Sequence, residues 1–219
     1  MPPWLRLASA SPEPARAHEV DLDDEALIDA VERGDTRRAH ELHDRLIAAI
    51  EPTLYRVLGR REPDHDDLVQ ATFEQIVLTL RRGRFARGCR LSTWASAIAA
   101  HVAFNALRAR RRARGAFETR DVAEVIEDGS AIDGRMIGDT EREIGIRARI
   151  RAAQVHLTAM NHDRALVLVL HDVLGHDLAE IAAMLEVSVA AAQSRLVRGR
   201  KEFHARVRAE DELEEGRHG

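Results

Sequence analysis

The chain has 219 residues, 45% of them hydrophobic and 32% charged, with a net charge of −4; that is the length of one large domain or two small ones with a globular balance of residues. Aromatic residues make up only 4%, so the core must be built from Leu, Ile, Val and Ala, which favours packed helices over strands. A single cysteine excludes a disulfide scaffold and a four-cysteine zinc site, and the lack of any run of about 18 apolar residues argues against a membrane span.

The small net charge hides a segregated distribution. Residues 1–80 hold 17 acids and 9 bases, residues 81–114 hold ten arginines and no acid, and residues 118–143 hold nine acids and three arginines. Six bases against the single acid Glu202 follow between Arg195 and Arg208, and five acids lie between Glu210 and Glu215. Lys201 is the only lysine, so a bias towards Arg inflates the basic count, but it does not explain the absence of acids over 34 residues. Two separated basic blocks on an acidic chain predict two contacts with nucleic acid.

In chain order, Met1–Ala17 carries Pro2, Pro3, Pro12 and Pro14 and no continuous apolar stretch. It reads as a disordered tail over residues 1–19 rather than a signal peptide, and the expected compartment is the cytoplasm. Leu27, Ile28 and Val31 predict a first helix closed by Gly34. Leu42, Leu46 and Ile50 predict a second from about Thr36, kinked or restarted at Pro52 before Leu54, Val57 and Leu58. After Pro63 the acids Asp64, Asp66 and Asp67 suit a helix N-terminus, with Val69, Phe73, Ile76 and Leu80 continuing at helical spacing. Residues 81–90 form an Arg/Gly-rich loop. A long helix follows from about Ser92 to Ala113, with an apolar arc of Leu91, Ala95, Ile98 and Val102. His101, Asn105, Arg108 and Arg112 fall within about 60° of one another on its surface. Trp94 flanks the apolar arc and is expected in the core. Residues 116–145 show no sustained periodicity and an excess of acid, which reads as a linker with at most a short helix.

Helices resume at about Ile146 and are expected to end near Ala209. Ala165, Leu166, Val169 and Leu170 make a buried helix, Gly175 turns the chain, and Asp177 with Glu180 forms a capping box. Leu178, Ile181, Ala182 and Leu185 make a short amphipathic helix. Glu186-Val187-Ser188 is a tight turn with Ser188 as the N-cap of the next helix; a left-handed Glu186 would cost about 1–2 kcal/mol. That helix turns Ala192, Leu196, Phe203 and Val207 inward and Gln193, Ser194, Val197, Arg198 and Lys201 outward. The arrangement reads as a helix-turn-helix whose second helix enters the major groove, or as an ordinary helical hairpin with a basic face. Gln and Arg suit base edges, while Arg200 and Lys201 suit phosphates.

Two stretches together carry a family resemblance. Asp67-Leu68-Val69-Gln70-Ala71-Thr72-Phe73, then Leu91-Ser92-Thr93-Trp94 and Asn105-Ala106-Leu107-Arg108 with its Arg run, resemble region 2 of bacterial extracytoplasmic-function (ECF) sigma factors. Residues 171–200, from His-Asp-Val-Leu-Gly to Ser-Arg-Leu-Val-Arg-Gly-Arg, resemble region 4 of the same family. The resemblance spans about Asp21 to Val207, in the family's order.

It implies an all-α protein of two small helical domains joined by a flexible acidic linker: region 2 over residues 20–115, the linker over 116–145, region 4 over 146–209 and an acidic tail over 210–219. It implies no enzymatic activity, no cofactor and no metal. The implied partners are core RNA polymerase (β′ clamp helices and β flap), promoter DNA and an anti-sigma factor, with no membrane insertion. Asp67, Leu68, Gln70 and Phe73 match the polymerase-binding motif, although core packing would equally account for Phe73. Arg84, Arg87 and Arg90 lie in the loop that captures an unstacked −10 base, and His101, Asn105, Arg108 and Arg112 match the face against that element. Gln193, Ser194, Val197, Arg198, Arg200 and Lys201 are the implied −35 contacts. The chain departs from the family at His101 and Asn105, where Asn and Asp are usual, and at Ala191-Ala192, where Thr-Val is usual. Val197 replaces a larger residue found in many members.

Other function classes remain open on the residues alone. A two-domain helix-turn-helix transcriptional regulator or sigma-like signalling adaptor would need a ligand or phosphoacceptor pocket in residues 20–114, where no strand or Gly-rich phosphate loop is apparent; co-purification with core polymerase separates the two readings. An enzyme would have to use His40 with His43, or His171 with His176, as metal ligands, and neither pair has a carboxylate or Cys partner at a fixed spacing. Cys89, beside Arg87 and Arg90, is either a redox sensor or a chance thiol.

Overall fold

The structure, a computed structural model, describes residues 22–85, 87–118 and 141–218, and all the regular structure among them is helical. The expected tail over residues 1–19 and most of the expected linker lie outside the described residues.

Helix α1 (Leu22–Glu32) ends where Gly34 turns left-handed at φ 88°. Helix α2 (Thr36–Leu58) is capped by Asp35, whose carboxylate accepts from the Arg37 and Arg38 amides. It runs through Pro52 as one helix, so of the kink or restart expected there the restart does not occur. Proline inside a helix costs about 3 kcal/mol. The stripe Leu42, Leu46, Ile50, Leu54, Val57 and Leu58 is buried on both sides of it, and each such side chain contributes about 1.5–3 kcal/mol. Burial of the continuous stripe wins.

Helix α3 (His65–Arg81) buries Val69, Thr72, Ile76 and Leu80. Helix α4 (Leu91–Glu118) outlasts its expected end and is the central element, packed on α2 and α3 and also on the helices that follow residue 140. It therefore buries more than one arc. Leu91, Trp94, Ala95, Ala99, Ala100, Ala103 and Phe104 are buried, whereas Ile98 and Val102, expected in the apolar arc, are only partly covered. Trp94 packs in the core against Phe85 at 4.7 Å.

Helix α5 (Glu141–Ala159) begins earlier than expected and leads into α6 (His162–Leu168), which continues as a π-helical turn over Val169–Val173. Gly175 then reverses the chain at φ 80°. Helix α7 (Leu178–Met184) opens on the anticipated capping box: the Glu180 amide donates to Asp177 Oδ1 at 2.8 Å and the Asp177 amide to Glu180 Oε2 at 3.2 Å. Helix α8 (Val189–His218) runs past the expected end near Ala209, so the acids from Glu210 onward continue the helix rather than form a separate tail.

The α5–α6 segment sits against the end of α2. Gln154 donates to the Val57 carbonyl at 2.8 Å, and a Cβ added at Gly59 would lie 2.7 Å from Ile150 Cγ2. None of the helices is long and apolar enough, within the described residues, to cross a membrane.

Candidate nucleic-acid interface

The helix-turn-helix is assembled by short-range chemistry. Glu186 adopts φ 53°, the left-handed conformation whose cost the sequence anticipates, and Ser188 Oγ accepts from the Ala191 amide at 3.1 Å to start α8. Ala192, Leu196 and Phe203 are buried, as are Ile181 and Ala182 of α7. The opposite side of α8 faces solvent: Gln193, Arg198 and Lys201 are exposed, Val197 is 59% exposed and Ser194 is half-buried.

Arg200 is placed differently from its neighbours. It lies on the exposed surface but is held by Asp172 of the π turn, with Nε donating to Oδ2 at 3.0 Å and Nη2 to Oδ1. Burial pushes the Asp172 carboxyl up, but the hydrogen bonds from Arg200 and His171 outweigh it and leave the group below its ordinary value. Arg200 therefore clamps α8 to the preceding turn. Gly199, which the sequence reading passed over, does a related job. A Cβ there would meet the Arg164 carbonyl oxygen at 2.9 Å, so only glycine lets α8 approach α6 so closely.

The exposed side of α3 carries Asp67 and Gln70, with Leu68 and Phe73 half-buried beside them. Phe73 meets His43 of α2 edge-on at 5.1 Å. Arg84 and Arg90 are exposed in the loop, whereas Arg87 turns back to α1 and pairs with Asp29 at 2.6 Å. Cys89 is buried and its thiol is pushed up to about 11 by burial, so it is not a thiolate at neutral pH.

The α4 face meets residues of the α5–α6 segment. The Asn105 side chain lies 3.2 Å from His101 Nε2, and the His101 ring meets His162 of α6 at 5.2 Å. Phe104 lies 5.5 Å from the same His162 ring, with the Arg108 guanidinium over Phe104 at 5.7 Å. Arg108 donates to the Met160 carbonyl at 3.4 Å and Arg111 to the Val155 carbonyl at 3.4 Å. Burial holds both His101 and His162 below the ordinary histidine value, with each other's proximity and Arg108 adding to the effect at His162. Arg112 is exposed. The sequence groups His101, Asn105, Arg108 and Arg112 on one face; that α5–α6 lies over part of this face, and that Arg111, Thr158 and His162 join it, is decided by packing.

The histidine pairs weighed as metal ligands are otherwise engaged. His40 Nδ1 lies 3.0 Å from the Thr36 carbonyl, His171 is bonded to Asp172, and His176 lies 3.5 Å from Glu180. No group of three or more His, Cys, Asp or Glu side chains among the described residues is arranged to hold a metal ion.

Comparison with known proteins places these two surfaces in one family. Residues 42–113 match sigma-70 region 2 and residues 156–203 match sigma-70 region 4. No curated protein sequence matches the chain. Solved structures similar to it include the following two. One is the structure of CnrH in complex with the cytosolic domain of CnrY, at 24% identity and a TM-score of 0.49, covering 85% of this chain and 97% of that one. The other is the co-crystal structure of the sigma factor RpoE in complex with the anti-sigma factor NepR from Bartonella quintana, at 17% identity and a TM-score of 0.41, covering 77% and 97%. With regions 2 and 4 matched in order over 120 of its 219 residues, the chain belongs to the sigma-70 family of transcription initiation factors, of the ECF type.

Proposed function

We propose that the chain binds core RNA polymerase, recognises the −35 and −10 promoter elements and helps to open the promoter. The observation that carries this reading is the outward face of α8, where Gln193, Val197, Arg198 and Lys201 lie exposed on the second helix of a capped helix-turn-helix, in a chain that also matches region 2. In this reading Arg198 and Gln193 pair with base edges in the −35 major groove and Lys201 neutralises phosphate. Ser194 and Val197 line the same groove, and Arg200 contributes from its Asp172 clamp.

The exposed side of α3, with Asp67, Leu68, Gln70 and Phe73, docks on the β′ clamp helices, and region 4 meets the β flap. Arg84 and Arg90 guide the −10 strand, with Arg87 fixing their loop. His101, Asn105, Arg108 and Arg112 lie against the melted strand, where a basic helix offsets the few kcal/mol needed to extrude a base. Because α5–α6 lies over part of that face, polymerase must move region 4 away from α4 before the −10 element can bind. Family membership adds an anti-sigma factor as the regulatory partner, and the whole cycle belongs in the cytoplasm.

The test is run-off transcription by purified core polymerase with and without the protein over a fragmented genome, with start sites sequenced. The expected outcome is initiation from a discrete promoter class that depends on the protein. Reversing both Arg108 and Arg112 to Glu should abolish permanganate-reactive open complexes while core binding persists. Protein that neither binds core polymerase nor changes its start sites would overturn the reading.

A further inference from the structure

Between α4 and the α5–α6 segment lies an open cleft of about 520 Å³, lined by Asn105, Arg108, Arg111, Arg112, Thr158 and His162. That volume is typical of small-molecule sites. Its charge is one-sided. On the same helix Arg110 is neutralised by Glu62 at 3.3 Å and Asp64 at 2.6 Å, but none of the three cleft arginines forms an ion pair with a described residue. The hydrogen bonds of Arg108 and Arg111 are long ones to backbone carbonyls, which engage one of the five donors each guanidinium carries.

We infer that this cleft is a binding site for an oligophosphate, a small ligand bearing two or more linked phosphate groups, held jointly by the arginines of α4 and by Thr158 and His162 of region 4. Guanidinium is the side chain best matched to phosphate, through paired N–H donors. Arg108 and Arg112 stand one turn apart, about 6 Å along the helix, so a linked chain of phosphates can engage both, each with its own phosphate group. The His162 ring in the cleft wall, backed by the buried Phe104, supplies an aromatic surface that an attached nucleoside would stack on. The groups facing His162 are His101 and Arg108 from α4, Thr158 from α5 and its neighbour Asp163, which is paired with Arg195 of α8 at 3.3 Å. Protonating His162, which burial, His101 and Arg108 hold below the ordinary value, would add a fourth cation to the cleft.

The site stands without the promoter reading; its consequence rests on it. Arg108 and Arg112 cannot hold an oligophosphate and the −10 strand together, and a ligand bridging α4 to region 4 would keep that face covered.

The test is calorimetric titration of the full chain at 0.1 M salt with sodium tripolyphosphate, metal-free ATP and orthophosphate. One-to-one saturable binding of tripolyphosphate is expected, with orthophosphate at least tenfold weaker. ATP tighter than tripolyphosphate supports a nucleoside polyphosphate as the source, and equal affinity supports an inorganic chain. Arg111→Gln, at an exposed position, and His162→Ala should each weaken tripolyphosphate at least fivefold, with folding checked by circular dichroism. Absence of saturation, orthophosphate binding as tight as tripolyphosphate, or affinity untouched by both substitutions would overturn the site. Run-off transcription by the unliganded wild-type protein reads the sigma-factor proposal separately. Transcription without saturable binding sinks the cleft alone, and saturable binding without transcription sinks the promoter role alone.

Discussion

Gly199 offers a direct test of how α8, the second helix of the helix-turn-helix, is seated. In Gly199→Ala the new methyl would lie 2.9 Å from the Arg164 carbonyl oxygen and 3.5 Å from its carbonyl carbon and Cβ. Ordinary contact begins near 3.4 Å, and the neighbour is backbone, so no side-chain rotation relieves the overlap. The two helices must part by about half an ångström across an interface that includes Ala165, Leu166, Ala192 and Leu196, all buried. Such overpacking typically costs about 1–3 kcal/mol, against a gain of about 1 kcal/mol from replacing glycine in a helix. The net expectation is destabilisation by about 1 kcal/mol, which in a chain of this size lowers Tm by about 2–4 °C. Gly145 of α5 provides the control, because a Cβ there meets nothing within 4 Å. Gly145→Ala should therefore stabilise by about 1 kcal/mol. Thermal unfolding of both variants, followed by circular dichroism, should give shifts of opposite sign. If Gly199→Ala stabilised the protein as Gly145→Ala does, the close approach of α8 to α6 would be refuted.

Four further outcomes are expected. Arg198→Ala should cost about 1–3 kcal/mol at one promoter position and relax preference there, whereas Lys201→Ala should weaken binding evenly and flatten the salt dependence; equal, sequence-independent losses measured by anisotropy at several salt concentrations would remove Arg198 from base reading. Arg200→Ala should lower stability by a few tenths to 1 kcal/mol, the scale of a partly exposed pair. Because the Asp172 carboxyl sits below its ordinary value of 3.8, that stability is present above about pH 4 and is lost as pH falls through the folded value, so the wild-type advantage should vanish in acid; persistence at pH 2 would refute the pairing. His101 and His162 both sit below the ordinary 6.5, so their contribution is full above pH 6.5 and declines as pH falls below it. His162→Phe should flatten the Tm profile between pH 6.5 and 5, and an unchanged slope would show that the ring pair does not couple the two regions. Cys89, buried with its thiol near 11, should resist a thiol-specific disulfide reagent at pH 8 until the protein is unfolded; fast labelling of the native protein would return it to consideration as a sensor.

The helices, their caps and the helix-turn-helix are legible in the sequence because each depends on neighbours a few residues apart. The Asp177–Glu180 box, the Ser188 cap and the left-handed Glu186 are settled within three or four residues, and the inward faces of α1, α2 and α7 follow from spacing alone. Gln193, Arg198 and Lys201 are outward for the same reason. Whether α2 is kinked or restarted at Pro52 stays open in the sequence, because the local rule for proline is silent on a buried stripe that only a packed α3 and α4 can complete.

Which arginines are free is another matter. Arg87, Arg110 and Arg200 read in the sequence like Arg84, Arg111 and Arg198, but the first three are held by Asp29, Glu62 with Asp64, and Asp172. Some of these partners lie 28 to 58 residues away. Periodicity measures a side chain's angle about its own helix axis and is silent on what the rest of the chain brings to that angle. For the same reason the face formed by His101, Asn105, Arg108 and Arg112 was visible from spacing, while its cover by Met160 and His162, and the cleft closed by Thr158, were decided by how the helices pack.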